Sequence, residues 1–259
     1  MGRGRLNTPI VMVHGAFCAG WAFDGFREPF EAAGHPVIAP DLPGHGADGG
    51  PPVTGQSMSD YARAVRLVIE AQGEPPILIG HSLGGLVAQM AATRARVAGL
   101  ILLAPSAPWG VTGSTAEEAI SAVSLYALGP YWALAVDPDY PAARRYLFDR
   151  LPRAVRRATF ARLVPESGRA LWETLNWWLD PFATTLVGGG GVCAPVLAIA
   201  GGLDAIHPAA TVRATAGRLG GETLVFPDMS HWLVGEPGWE DVAGACLGWM
   251  ESLRTCAAA

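Results

Sequence analysis

The sequence predicts an α/β protein with a mostly parallel sheet of about six strands and helices on both faces. Short apolar runs alternate with stretches of helical periodicity at both ends of the chain. These runs are apolar throughout rather than at every second residue, which is typical of strands covered on both faces. Between the two alternating parts lies a long segment that is rich in aromatic residues and has no strand-like run.

The first alternating part contains four predicted strands with helices between them. Each apolar run ends in a loop that contains Gly or Pro, where a strand is expected to stop. Strands are predicted at residues 9–13, 37–39, 77–79 and 100–103, and helices at residues 23–33, 59–71 and 83–93. This order of strand, helix and strand predicts a sheet whose strands run in one direction.

The central segment is predicted to be a helical cap inserted into the α/β core. It holds 12 of the 22 aromatic residues, and a capping-box match at Ser114 and Glu117 marks one helix start. Helices are predicted at residues 114–128, 141–150, 152–163 and 167–179, and no strand is predicted. Four consecutive glycines at 188–191 then form a linker. The chain is thus divided into a core of residues 1–104 and 192–259 and a cap of residues 105–191.

Alternation resumes after the glycine linker. Strands are predicted at residues 196–200 and 223–226, and helices at residues 209–219 and 239–253. Asp204 and His231 each follow one of these strands. In parallel sheets, functional side chains lie just beyond the carboxyl ends of the strands, so both residues are candidates for a site.

Composition excludes several function classes. The net charge of −5 argues against nucleic acid or an anionic membrane as a partner. No apolar stretch precedes Ile10 and no segment is long enough to cross a bilayer, so a cytoplasmic protein is expected. The cysteines lack metal-ligand spacing and are expected to be free thiols: Cys18, Cys193, Cys246 and Cys256. Neither a metal nor a cofactor is expected.

A serine at a strand-to-helix junction is the strongest local motif. Gly80, Ser82 and Gly84 form a G-x-S-x-G pattern between a predicted strand and a predicted helix. The tight turn forces the serine into a strained backbone conformation, and the glycines avoid collisions between Cβ atoms and the closely packed chain. Such a turn projects the serine hydroxyl beyond the end of the sheet.

A serine hydroxyl needs a base to become nucleophilic, and the base needs an orienting acid. Ser82, Asp204 and His231 occur in the order nucleophile, acid, base and each follows a predicted strand. His207 is a competing base and Asp228 a competing acid, and both are less favoured. Three further histidines in motif loops are expected to brace the site: His14, His45 and His81.

The chain resembles the α/β-hydrolase superfamily over nearly its whole length, and four segments carry the resemblance. These are His14-Gly15-Ala16, the Asp-Leu-Pro-Gly-His-Gly run at 41–46, the Gly-His-Ser-Leu-Gly-Gly run at 80–85, and Gly201-Gly202-Leu203-Asp204 together with residues 230–232. The first and third are most similar to the small-esterase branch that includes plant methylesterases and hydroxynitrile lyases. The lyases tend to carry Thr where Gly15 stands, so the resemblance favours ester hydrolysis.

The resemblance implies a role for each site residue. Ser82 attacks an acyl carbonyl, His231 accepts the serine proton, and Asp204 holds the imidazolium. The backbone N–H groups of Ala16 and Leu83 form the oxyanion hole. Five aromatic residues are candidates for the substrate pocket or its edge: Phe17, Trp21, Trp177, Trp178 and Trp232.

The expected function is a serine esterase acting on small to medium apolar carboxylic esters, with a small-molecule ester and water as its partners. Other chemistry on the same three side chains remains open: a lactonase, a thioesterase, a C–C bond hydrolase or a perhydrolase. A ligand receptor that keeps the pocket and turns over slowly also remains open. The sequence leaves the oligomeric state undetermined.

Overall fold

The protein folds around one six-stranded sheet. The computed structural model describes residues 8–46, 50–112 and 129–258, with side chains up to residue 253. The strands are β1 (Ile10–Val13), β2 (Val37–Ile38), β3 (Ile77–His81), β4 (Gly99–Leu103), β5 (Ala135–Val136), β6 (Glu166–Ser167), β7 (Val196–Gly201) and β8 (Glu222–Phe226). The main sheet has the order β2-β1-β3-β4-β7-β8 and its neighbouring strands pair in parallel. The predicted fold class is therefore confirmed.

Helices in the described residues follow the predicted alternation. They are α1 (Glu28–Ala32), α2 (Met58–Glu70), α3 (Leu83–Ala92), α4 (Tyr140–Ala142), α5 (Arg153–Phe160), α6 (Gly168–Leu175), α7 (Ala209–Arg218) and α8 (Trp239–Ala258). A π-helical segment, Ala143–Leu147, extends α4. Ser57 and Asp60 form a capping box at the start of α2, which satisfies backbone N–H groups of its first turn.

The sheet separates two apolar layers. Alternate residues of its strands point to opposite faces. One face, with Val11 and Leu78, packs with residues of α2, α3 and α7, and the other, with Met12 and Ile79, packs with residues of α8 and the segment around Phe26. The central strands β1, β3, β4 and β7 are buried along their whole length. This explains why their sequences are apolar throughout.

The segment between β4 and β7 contains helices shorter than those predicted, with a π-helical turn at Ala143–Leu147, and a strand pair that was not predicted. No strand was expected there, but β5 and β6 form a two-residue antiparallel pair, with Val136 opposite Glu166. A pair this short carries no periodicity, because alternation becomes visible only over about four residues. The predicted helix at 114–128 lies outside the described residues.

The fold brings the three candidate residues to one edge of the main sheet. Because the paired strands of the main sheet are parallel, the loops that follow β3, β7 and β8 leave from the same edge of the sheet. These loops carry Ser82, Asp204 and His231.

Among the described helices, none is both long enough and apolar enough to cross a bilayer.

Candidate active site

Ser82 lies in a strained turn between β3 and α3. Its backbone has φ 53° and ψ −125°, a conformation that L-residues rarely adopt. A Cβ at position 80 would lie 2.5 Å from the carbonyl oxygen of Gly84, and one at position 84 would lie 2.2 Å from that of His14. Gly80 therefore permits the contact between strand and helix. Gly84 permits a contact that the sequence did not indicate, between α3 and the end of β1.

Three side chains from separate loops form a continuous hydrogen-bonded row. The Nε2 atom of His231 lies 2.9 Å from Oγ of Ser82, and its Nδ1 atom lies 2.8 Å from Oδ2 of Asp204. Asp204 and His231 are buried, whereas Ser82 is half-buried. The structure thus brings together the three residues that the sequence placed at strand ends, across as many as 149 positions.

Asp204 is oriented from two sides. Its Oδ1 atom accepts hydrogen bonds from the backbone N–H groups of Ile206 and His207, at 2.8 and 2.9 Å, which leaves Oδ2 directed at His231. Burial opposes ionisation of the carboxyl group, but the neighbouring His231 and these hydrogen bonds outweigh it and lower the pKa of Asp204. The group is therefore a carboxylate that can stabilise a positive imidazole.

The histidines around His231 remain neutral. Burial first, and repulsion by His231 second, lower the pKa of His81 to about 3 and that of His207 to about 4. His81 donates from Nε2 to the carbonyl oxygen of His231 at 2.9 Å, and Nε2 of His207 lies 3.0 Å from Oγ of Ser106. His231 therefore has no charged histidine beside it when it accepts a proton.

The loop after β1 lies directly against Ser82. A Cβ at position 15 would lie 3.0 Å from Cβ of Ser82. His14 bonds from Nδ1 to the carbonyl oxygen of Gly15 at 2.9 Å, and its Nε2 accepts the backbone N–H of Leu42 at 2.9 Å. In the described chain, the backbone N–H groups of Ala16 and Leu83 bond no protein acceptor. The two groups can therefore donate to an incoming atom.

A buried carboxylate that the sequence did not single out contacts this loop. Glu166, on β6, accepts the backbone N–H of Phe17 at 3.2 Å and faces Nε2 of His45 at 3.0 Å through its Oε2 atom. Its Oε1 atom accepts the hydroxyl of Tyr61 at 2.7 Å and the N–H of Ser167 at 2.7 Å. No local motif marks Glu166, since its partners other than the adjacent Ser167 lie 105 to 149 residues away.

Charge is balanced within this buried group. Burial alone raises the pKa of Glu166, but the hydrogen bonds from His45 and Tyr61 and the charge of His45 outweigh it and lower that pKa. Burial likewise opposes the charge of His45, and the partner carboxylate raises its pKa above the usual value. Both side chains are completely buried, so their hydrogen bond is shielded from water, and the two form an ion pair when His45 is protonated.

The aromatic candidates lie in three different environments. Trp232 is buried and packs edge-on against His81 and Phe148, with ring centroids 5.4 and 5.0 Å apart. The Trp21 ring lies 6.2 Å from that of Trp232. Trp177 packs against Trp109 and Trp178, and 57% of Trp178 is exposed.

Phe17, the remaining aromatic candidate, belongs to the loop after β1 and is half-buried, with φ 63°. Trp232 is therefore enclosed by protein rings, whereas Phe17 and Trp21 are only partly buried.

Neither competing side chain joins the hydrogen-bonded row in the described chain, although the ring of His207 lies 5.2 Å from that of His231. Asp228 is exposed, and His207 hydrogen-bonds Ser106 rather than Ser82. Cys18 is buried, and burial raises the pKa of its thiol. The described residues contain no group of three or more His, Cys, Asp or Glu side chains that could hold a metal ion.

The parallel sheet, the strained serine turn and the row of Ser82, His231 and Asp204 define the architecture of α/β hydrolases. A family model described as the alpha/beta hydrolase family matches residues 10–245. The chain belongs to the alpha/beta hydrolase family, as its resemblance indicated.

Curated relatives match parts of the chain. A pyrethroid hydrolase from Sphingobium wenxiniae is 38% identical over 112 residues, which cover 42% of this chain and 40% of that protein. Salicylic acid-binding protein 2 from Nicotiana tabacum is 38% identical over 79 residues, which cover 30% of each. The chain thus aligns with less than half the length of these relatives.

Solved structures match nearly the whole chain. A monoacylglycerol lipase from Paleococcus ferrophilus is 27% identical with a TM-score of 0.70, covering 95% of this chain and 96% of that one. A methylesterase from Arabidopsis is 17% identical with a TM-score of 0.71, covering 94% and 99%. At that lower identity the likeness concerns the fold alone.

Proposed function

We propose that the protein is a serine hydrolase that cleaves carboxylic esters of small to medium apolar substrates through an acyl-enzyme on Ser82. The observation that carries this proposal is the row of hydrogen bonds from Ser82 through His231 to Asp204, at 2.9 and 2.8 Å. The names of the relatives, which include a pyrethroid hydrolase and several methylesterases, support an ester as the substrate class.

Acylation begins at the Ser82 hydroxyl. His231 removes the hydroxyl proton through Nε2 while Oγ forms a bond to the ester carbonyl carbon, and the carbonyl π electrons move onto oxygen. Asp204 accepts a hydrogen bond from Nδ1 and stabilises the imidazolium that results. His231 then donates the proton from Nε2 to the alkoxy oxygen, the C–O bond breaks, and the alcohol leaves.

The negative oxygen of the tetrahedral intermediate is stabilised by the backbone N–H groups of Ala16 and Leu83. Two features support this role: neither group bonds a protein acceptor in the described chain, and the loop that carries Ala16 lies against Ser82. Leu83 is the first residue of α3, where the helix dipole also favours negative charge. Each such donor contributes about 3–4 kcal/mol to transition-state stabilisation.

Deacylation repeats these steps with water as the nucleophile. His231 removes a proton from water, the water oxygen bonds the acyl carbon, and the bond to Oγ breaks. Ser82 recovers its proton from His231, and the carboxylic acid leaves. Every atom that enters as ester and water thus leaves as acid and alcohol.

We assign substrate selection to the segment 105–191 as a cap on the core of residues 1–104 and 192–259. The position of this segment supports the assignment, because it connects the neighbouring strands β4 and β7 and contacts the loop after β1 through Glu166. The proposed apolar contacts on the core side are Phe17, in that loop, and Trp21, in the turn that follows it. Those within the cap are Trp177 and Trp178.

A panel of p-nitrophenyl esters of increasing chain length tests the function on the wild type and on Ser82→Ala. We expect turnover that is abolished by the substitution, together with fluorophosphonate labelling that maps to Ser82. Activity confined to thioesters or diketones contradicts the ester proposal and favours other chemistry on the same residues. Ligand binding that survives in Ser82→Ala, with negligible turnover in the wild type, favours a receptor.

A further inference from the structure

We propose that Glu166 is a positioning residue that holds the oxyanion loop, defined here as residues 14–18, in the geometry needed for catalysis. This inference rests on the proposed function, since it concerns the N–H group of Ala16 as an oxyanion donor. The juxtaposition behind it is the contact between a buried carboxylate on β6 and the backbone N–H of Phe17.

The oxyanion loop has two peptide groups that decide where the N–H of Ala16 points. The first joins Gly15 to Ala16, and His14 holds it through the carbonyl oxygen of Gly15 at 2.9 Å. The second joins Ala16 to Phe17, and Glu166 holds it through the N–H of Phe17 at 3.2 Å. The two anchors lie on either side of Ala16. The Gly15 carbonyl oxygen also accepts the N–H of Cys18 at 3.3 Å, so loss of the Glu166 contact removes the only side-chain anchor described on the carboxyl side of Ala16.

Phe17 makes the second anchor necessary. Its φ of 63° lies in the left-handed region, which costs a non-glycine residue about 1 kcal/mol or more. A hydrogen bond from its N–H to a carboxylate is charge-assisted and therefore stronger than one between neutral groups. The carboxyl terminus of the loop is fixed from the same segment, because the carbonyl oxygen of Phe17 accepts the N–H of Val164 at 2.9 Å.

The carboxylate itself is rigid and electrically compensated. Four hydrogen-bonding partners surround it: Phe17, His45, Tyr61 and Ser167. A lone negative charge next to the oxyanion loop would repel the negative oxygen of the intermediate, and His45 at 3.0 Å offsets that repulsion when it is protonated. The segment 105–191 thereby acts on the reacting oxygen through the loop, without touching the substrate at this point.

Glu166→Gln tests the inference, with Glu173→Gln as the matched control. Glu173 is also a buried carboxylate of the segment 105–191 that accepts a core backbone N–H, that of Met58 at 2.8 Å, but it does not contact the oxyanion loop. For Glu166→Gln we expect kcat to fall about 10- to 100-fold while KM changes less than about threefold. Glu173→Gln should leave both within about threefold, even where it lowers the melting temperature equally.

A boronic acid provides the readout that a merely structural role would not move. It forms a tetrahedral adduct when Oγ of Ser82 donates an electron pair to boron and the hydroxyl proton passes to His231. Its affinity should fall in Glu166→Gln by about the same factor as kcat, because the adduct uses the oxyanion hole. Unchanged kcat and boronate affinity, or equal losses in both variants, overturn the inference.

A second variant tests the same contact. If Glu166→Gln does not fold, Tyr61→Phe replaces it: this variant removes one hydrogen bond from the carboxylate, and parallel falls in kcat and boronate affinity support the inference, whereas unchanged values overturn it. A wild type without Ser82-dependent ester hydrolysis refutes the proposed function instead, and is recognised before any variant is compared.

Discussion

Asp204 divides its two carboxylate oxygens between the backbone and His231. Oδ1 accepts two N–H groups of the following turn, and Oδ2 lies 2.8 Å from Nδ1 of His231. The turn therefore determines which oxygen faces the imidazole. Asp228, only three residues before His231, is exposed instead.

Asp204→Asn should lower kcat about 10⁴-fold, because an amide nitrogen facing Nδ1 stabilises the wrong tautomer of His231. Steady-state hydrolysis of a p-nitrophenyl ester measures this loss. Asp228→Asn is the control and should keep kcat within about twofold. A large loss in Asp228→Asn, or a small one in Asp204→Asn, would contradict the assignment of the acid.

Gly84→Ala should destabilise the protein by about 3 kcal/mol, because the new methyl group would lie 2.2 Å from a backbone oxygen of His14 that has little freedom to move. Urea unfolding followed by tryptophan fluorescence measures the change. Gly217→Ala is a matched control on α7, where a Cβ meets nothing within 4 Å. This control should be more stable by up to about 1 kcal/mol, because alanine reduces the backbone entropy of the unfolded chain. Equal effects in the two variants would refute the steric explanation.

His207→Gln should reduce the loss of stability in acid. Burial lowers the pKa of His207 from 6.5 to about 4, so between these values the unfolded chain binds more protons than the folded one. The wild type therefore loses this contribution as the pH falls from about 6.5 through 4. Urea unfolding at pH 7, 5.5 and 4.5 measures the difference between variant and wild type. A difference that does not change with pH would show that His207 does not titrate in this range.

Glu236→Gln should change the pH dependence of stability in the direction opposite to His207→Gln. Burial first, and repulsion by Asp149 second, raise the pKa of Glu236 to about 7, while its Oε1 accepts the N–H of Ser230. The folded chain then binds more protons than the unfolded one between about pH 4.5 and 7. The wild type loses this contribution as the pH rises. The free energy of unfolding of the variant minus that of the wild type should therefore be larger at pH 8 than at pH 4.5.

The same unfolding series, extended to pH 8, measures the effect of Glu236→Gln, with His207→Gln as an internal comparison of opposite sign. Glu236 hydrogen-bonds the residue before His231, so ester hydrolysis is assayed in parallel. A relative stability that falls for Glu236→Gln between pH 4.5 and 8 would contradict a raised pKa in the folded state.

Much of the fold could be predicted because its signals are local. The buried strands β1, β3, β4 and β7 are continuous apolar runs, and the serine turn follows one of them. The pair of β5 and β6 could not be predicted, since two residues carry no period. The surroundings of Trp178 and Trp232 were equally hidden, because Trp178 is exposed and Trp232 is buried although each follows a ring-bearing residue and precedes a Leu.

The sequence by itself determined the order of strands and helices and the strand-end positions of Ser82, Asp204 and His231. It could do so because parallel strands share one edge, so that position along the chain translates into position in space. Only the tertiary structure decided that Glu166 contacts the oxyanion loop and pairs with His45. Those contacts depend on how a segment more than a hundred residues away packs against the core, and no local pattern of residues encodes that packing.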